Sequence, residues 1–204
     1  SLFLVPKFLP NPDGSLGARN DLRVVSLEHK LGIHGSPTCV MEYSGAKGWM
    51  VGEPNGGLAA MFTMMNNARL GVGTQGVGVA EAAYQHALAY AKDRKQGPSV
   101  IVDYPDVRRM LASMKADTFA ARAICMACAA AIDMQNATLE DEWKARASLL
   151  TPIAKAFGTD VGNEVAQMGI QIHGGMGVIE ETGAAQFARD VRVTTIYEGT
   201  NGIQ

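Results

Sequence analysis

The chain has 204 residues, 47% of them hydrophobic, enough for one substantial core. Its formal net charge of −2 excludes the electrostatic footprint of a nucleic-acid or anionic-membrane binder. Three cysteines without a framework spacing suit a reducing compartment, so a cytoplasmic setting is expected, and no apolar run reaches bilayer-spanning length. Ser1 to Pro6 carry neither a basic segment nor a small-residue cleavage site, so they are not a signal peptide. They read like the middle of a strand, with no Met ahead of them. The chain stops at Gln204 just after its most motif-like segment, so a fragment of a longer protein is expected.

The first quarter has strand character. Leu2 to Val5 form a short apolar run, and Pro10, Asn11, Pro12, Asp13 and Gly14 form a turn cluster. Val24 to Leu27, Cys39 to Met41 and Trp49 to Val51 are further short strands between Gly, Ser and Pro. Residues 1–56 are therefore expected to be the remnant of a middle β-domain.

From about Gly57 the period turns helical, and residues 57–204 are expected to form an antiparallel helical bundle, making the chain mainly α. Ala80, Ala83, Tyr84, Ala87, Leu88 and Ala91 recur at three- and four-residue steps. After a loop at Gly97 to Ser99, Asp103 is expected to cap a second helix and Pro105 to open it. Its stripe is Val107, Met110, Leu111, Met114, Thr118, Ala121, Cys125, Cys128 and Ile132. A third stripe runs from Leu149 to Met168, with Pro152 either kinking that helix or starting a new one. Gly174 and Gly175 stop it, and a short fourth segment spans about Ala184 to Arg189.

Several motifs have plain structural readings. Gly71-Val72-Gly73-Thr74-Gln75-Gly76 fits the dinucleotide pattern G-x-G-x-x-G, which requires a strand before and a helix after. No turn signal or βαβ unit surrounds it, so a helix that another helix or a ligand approaches closely is the better reading. Cys125 and Cys128 fit C-x-x-C but lie deep in a helical stripe, which favours buried core thiols over a redox pair. His29, His34, His86 and His173 show no ligand spacing, so no metal site is expected. Glu140, Asp141 and Glu142 read as a solvated helix start.

Two segments ask for more. Gln171-Ile172-His173-Gly174-Gly175-Met176-Gly177 places three glycines after an apolar helix, where a C-cap accounts for one. Thr195-Ile196-Tyr197-Glu198-Gly199-Thr200-Asn201-Gly202 sets a carboxylate between apolar residues and glycine. That arrangement suits a desolvated base, or equally an ordinary surface glutamate at a turn.

Together, Gln171 to Gly177, Arg189-Asp190 and Ile196 to Asn201 resemble, in letters and spacing, the C-terminal signature of acyl-CoA dehydrogenases. Asn66-Asn67-Ala68-Arg69 and Asp93-Arg94-Lys95-Gln96-Gly97 resemble the first bundle helix and its end. Leu31 to Ser36 and Thr38 resemble the late middle domain. The likeness covers nearly the whole chain and is strongest to the longer bacterial members.

The resemblance implies FAD as cofactor, an acyl-CoA as substrate, an electron-transfer flavoprotein as acceptor and a homodimer or homotetramer. It implies that Glu198 removes the α-proton while the β-hydrogen leaves as hydride, giving a trans-2-enoyl-CoA. It places Asn66, Arg69 and Gly199 on the substrate side. Arg94 and Gln96 match positions that reach a neighbouring subunit's FAD, Gln171, Gly174 and Gly175 the segment along its ADP half, and Thr200 and Asn201 flavin contacts. Some members carry the base just before the arginine of the first helix, where this chain has Ala68, which cannot serve. The family's usual Phe between Gln96 and Gly97 is absent here. The alternatives are an acyl-CoA oxidase, or a non-catalytic oligomerisation or binding bundle.

Overall fold

The structure is a computed structural model that describes residues 1–203. It divides into two compact units, Ser1–Met65 and the chain from Asn66 onward.

The first unit consists of antiparallel strand pairs and the opening turns of a helix. Strands β1 (Leu2–Leu4), β2 (Phe8–Pro10), β3 (Leu16–Arg19), β4 (Leu22–Leu27), β5 (Cys39–Tyr43) and β6 (Trp49–Val51) pair as β1 with β6, β2 with β3, and β4 with β5. The turn cluster at Asn11 to Gly14 closes the β2–β3 hairpin, two strands the periodicity did not reveal. The apolar side chains of these strands, such as Phe3, Leu4, Val25 and Leu27, are exposed. The polar anchor is Asn20, 4% exposed. Its Nδ2 donates to the carbonyls of Pro6 (3.0 Å) and Lys47 (2.7 Å), and its Oδ1 accepts from the Lys47 amide (2.9 Å).

The second unit is helical. Helix α1 (Gly57–Asp93) enters it from the first unit, and α2 (Pro105–Thr138), α3 (Asp141–His173) and α4 (Ala184–Arg192) follow. A small hairpin of β7 (Lys95–Gln96) and β8 (Ser99–Val100) joins α1 to α2 around Gly97, whose φ of +62° favours glycine. The chain is thus mainly α: a four-helix bundle preceded by small antiparallel sheets. No helix among the described residues is long and apolar enough to cross a membrane.

The helix ends follow local chemistry, with one correction. Pro105 opens α2 as expected, but the N-cap is Tyr104 and its side chain makes no cap bond. Asp103 lies one residue too early, in the 3₁₀ turn Ile101–Asp103, and does not cap the helix. Leu139 ends α2 in the left-handed conformation (φ +59°), donating its amide to the Gln135 carbonyl. Asp141 and Glu142 then stand in the first turn of α3, where the helix dipole favours carboxylates. Pro152 neither ends α3 nor begins a new helix; α3 runs through it.

Register along the bundle is set by small residues. Gly73 and Gly76 of α1 lie against α3 so closely that a Cβ on Gly76 would sit 2.2 Å from the Gly158 carbonyl oxygen. One on Gly73 would sit 2.6 Å from that of Ala154. Gly158 and Gly162 of α3 return the contact, with a Cβ on each meeting the Gly73 oxygen at 2.6 Å and the Gly76 oxygen at 2.9 Å. Gly73 and Gly76 of the G-x-G-x-x-G sequence therefore make a helix–helix contact inside a continuous helix, where the cost of glycine is offset by backbone approach, while Gly71 meets nothing within 4 Å. Higher up, His86 and Tyr90 of α1 stack on His173 of α3, so α1 and α3 run parallel. Helix α2 runs antiparallel to both. Its Cys125 and Cys128 are buried, with the Cys125 thiol 3.9 Å from the Ala154 carbonyl and Cys128 3.7 Å from the Thr151 hydroxyl. Burial pushes the Cys125 thiol pKa up, which suits a core residue and not a nucleophile.

Candidate functional site

The Glu198 segment follows α4 and the 3₁₀ turn Val193–Thr195. There the backbone turns left-handed twice, with φ +54° at Glu198 and +93° at Gly199. A glutamate in this region is strained by about 1–2 kcal/mol and persists only when neighbouring contacts impose it.

Those contacts come from two helices. From α1, the Arg69 Nε donates to the Glu198 carbonyl (3.3 Å). The Tyr197 hydroxyl donates to Oε1 of Gln75, and burial raises the phenol's pKa, opposed by that hydrogen bond. From α3, the Lys155 Nζ donates to the Gly199 carbonyl (2.9 Å) and to Oδ1 of Asn201 (2.8 Å). Asn201 Nδ2 in turn donates to the Thr159 hydroxyl (3.0 Å) and the Asp160 carboxylate (2.9 Å). The bend is closed on itself by the Asn201 amide, which donates to the Thr195 carbonyl (3.0 Å).

Glu198, Gly199, Arg69 and Asn66 are thus brought together, since Arg69 Nη1 also donates to Oδ1 of Asn66 (3.0 Å). Asn201 belongs to the same cluster, but its side chain is spent on α3. Thr200 is exposed beside it. Lys155 escaped the sequence reading. It is wholly buried, and burial lowers its pKa, partly offset by the nearby Asp160. The available signal was its setting: Thr151, Ala154, Gly158 and Gly162 make this face of α3 a small-residue stripe in which one lysine stands alone.

The other expected residues gather at the far end of the bundle. Arg94, Gln96, Gly174 and Gly175 line one cavity of about 350 Å³ together with Tyr90 and His173. Gln171 lies outside this lining; its carbonyl accepts the Gly174 amide at the end of α3. The three glycines now separate by cause. Gly174 has φ +59°, and a Cβ on Gly177 would sit 2.3 Å from the Ile170 carbonyl oxygen, so the fold explains both. Gly175 has neither a positive φ nor any atom within 4 Å of a would-be Cβ. It presents bare backbone to the cavity. Beneath it, His173 is buried, its Nδ1 donating to the Gly169 carbonyl (2.7 Å). Burial, then the neighbouring His173, hold the His86 pKa below its ordinary value.

Comparison with known proteins shows the family. Residues 55–204 match the family described as acyl-CoA dehydrogenase, C-terminal domain. Over its full length the chain is 51% identical to 3-methylmercaptopropionyl-CoA dehydrogenase of Ruegeria pomeroyi and 40% identical to a butyryl-CoA dehydrogenase of Syntrophomonas wolfei. It spans about 37% of the length of each. The crystal structure of an acyl-CoA dehydrogenase complexed with FAD from Bacillus anthracis superposes with a TM-score of 0.83 at 29% identity, covering 90% of this chain and 34% of that one. The chain belongs to the acyl-CoA dehydrogenase family, and its residues from 55 onward to that family's C-terminal domain.

Proposed function

We propose that the chain is the C-terminal part of a FAD-dependent acyl-CoA dehydrogenase in which Glu198 takes the α-proton of an acyl thioester, yielding a trans-2-enoyl-CoA. The observation that carries this reading is the left-handed bend at Glu198, imposed by hydrogen bonds from α1 and α3. A backbone held from two sides fixes the point from which the Glu198 side chain departs, which suits a general base because proton abstraction depends on geometry before pKa. Ala68, the position of the base in some family members, carries no titratable group.

The chain's own residues fit the cofactor the family implies. The exposed guanidinium of Arg94 and the bare backbone of Gly174 and Gly175 face one cavity, a combination suited to the anionic ADP half of FAD. When bound, FAD supplies the acceptor for the β-hydride. The rest of the work falls to protein groups. The Glu198 carboxylate removes the proton, the Glu198 backbone N–H polarises the thioester carbonyl, and Asn66, Arg69 and Gly199 shape the substrate side. Thr200, exposed on the same bend, and the backbone of Asn201, whose side chain is bonded to α3, would contact the flavin.

Arg69 and the end of α1 at Asp93 are roughly 36 Å apart at ~1.5 Å per residue. That separation supports assigning the Arg94 cavity to the FAD of a neighbouring subunit, hence a homodimer or homotetramer. The relatives' names favour a dehydrogenase over an oxidase, and the acceptor proposed with it is an electron-transfer flavoprotein.

The test is anaerobic flavin reduction in the full-length enzyme by butyryl-CoA and 3-methylmercaptopropionyl-CoA. Glu198→Gln is expected to slow reduction about 10²–10⁴-fold with flavin still bound. Full-rate reduction in that variant would remove Glu198 as the base, and a full-length protein devoid of flavin would point to a binding bundle.

A further inference from the structure

We infer that Lys155 is a positioning residue for the Glu198 base, holding its bend in place through the Gly199 carbonyl and the Asn201 side chain. The inference rests on the reading of Glu198 as the base. Two hydrogen bonds tie this one ammonium to the two residues bracketing Thr200, at 2.9 and 2.8 Å.

The lysine is wholly buried and has three N–H donors, of which two go to this loop. Taking an ammonium out of water costs several kcal/mol, and a hydrophobic residue of similar volume usually serves stability as well or better. Bundle stability is therefore a poor reason for a lysine here. A different account follows from what it bonds. Glu198 and Gly199 both have positive φ, and each of their carbonyl oxygens accepts from a cation: Glu198 from Arg69 of α1, Gly199 from Lys155 of α3. The two helices meet through Gly73, where a Cβ would lie 3.3 Å from the Lys155 Cα. The bend is thus clamped from both partners of a close glycine-mediated helix contact. Asn201 extends the clamp to Thr159 and Asp160, whose carboxylate supplies a counter-charge for the ammonium.

Misplacing a reacting group by about 1 Å can cost roughly 100-fold in rate. The experiment measures proton removal alone, in the flavin-loaded full-length enzyme. The probe is methylthioacetyl-CoA, the 3-thia analogue of butyryl-CoA, whose β-position has no hydrogen to lose. Exchange of its α-hydrogens with D₂O is followed by mass spectrometry, per bound flavin. Lys155→Met should slow exchange roughly 100-fold while flavin content, melting temperature and probe affinity stay near those of the unmodified enzyme. Lys155→Gln, neutral, one bond shorter but still a donor, should fall between. Exchange within threefold of the unmodified enzyme in flavin-loaded Lys155→Met overturns the inference. So does a loss that merely tracks lost flavin or fold, including failure of both variants to fold, because that assigns Lys155 to the bundle. Glu198→Gln separates the two readings. Unchanged exchange in that variant removes the base itself, whereas lost exchange there with normal exchange in Lys155→Met removes only the positioning role.

Discussion

The two ends of the α1–α3 pair are built in opposite ways. At the Glu198 end, polar groups are spent on one another. Arg69, Gln75, Lys155, Thr159 and Asp160 all bond to the segment from Tyr197 to Asn201. At the far end, Gly175 offers open backbone, and the Arg94 guanidinium makes no ion pair among the described residues. An internally satisfied network fixes a geometry, which proton transfer needs. A surface left bare keeps its hydrogen-bonding capacity for something that arrives. The contrast fits the proposed assignment of a base to one end of the helix pair and a cofactor-facing surface to the other.

Both ends depend on the glycine contact between them, so breaking it should abolish the contrast. In Gly76→Val the new Cβ meets backbone of Gly158 and Thr159, which cannot rotate away as a side chain would. The expected loss is about 3 kcal/mol or more, seen as a lower midpoint in urea unfolding. An unchanged midpoint would mean the helices slide apart freely. Removing one clamp should act at one end alone. Arg69→Met takes the donor from the Glu198 carbonyl and is expected to cost about 2 kcal/mol, or some 30-fold, in the α-proton step. Flavin content should hold steady, and a parallel loss of flavin would show the ends to be coupled.

Much of this was legible in the sequence, and what was hidden has physical reasons. The apolar steps of α2 gave its buried face, because Leu111, Met114, Thr118, Ala121, Cys125 and Cys128 follow the helical period whatever they pack against. The hairpin of β2 and β3 was missed because Pro10 to Gly14 announces a turn while the flanking strands, three and four residues long, are too short to show alternation. Gln171 to Asn201 drew attention through glycines and a carboxylate, but Gly174, Gly175 and Gly177 serve three different ends that only coordinates separate. Lys155 was invisible for a related reason. A lysine on a helix reads as solvent-facing, and its burial depends on Gly199 and Asn201, more than forty residues downstream.

At the open end, effects should be smaller and confined to the cofactor. Gly175→Ala meets no atom within 4 Å and needs no unusual φ, so the bundle should unfold at its usual midpoint. Flavin retention should nevertheless weaken several-fold, and Arg94→Gln should weaken it about tenfold through loss of a charge-assisted contact. Equilibrium dialysis of FAD measures both. Unchanged flavin binding in the two variants would leave this cavity without its assigned role.

The smallest effect concerns acid. His86 packs against His173 and Phe187, with its Nδ1 buried and lacking a hydrogen-bond partner among the described residues. Burial first, and the neighbouring His173 second, lower its pKa from the ordinary 6.5, so the folded state disfavours the proton that the unfolded chain accepts. Below that ordinary value the unfolded state binds more protons, and the linkage slope makes stability fall as the pH drops. The contribution is intact above pH 6.5 and is lost progressively as the pH descends through the lowered value. His86→Phe removes the titration while keeping a ring for Phe187 and His173. Its unfolding midpoint should therefore change less than that of the unmodified protein between neutral pH and pH about 5, a window set by the ordinary histidine range. Parallel pH profiles for the two proteins would show that the His86 proton contributes nothing to this end of the bundle.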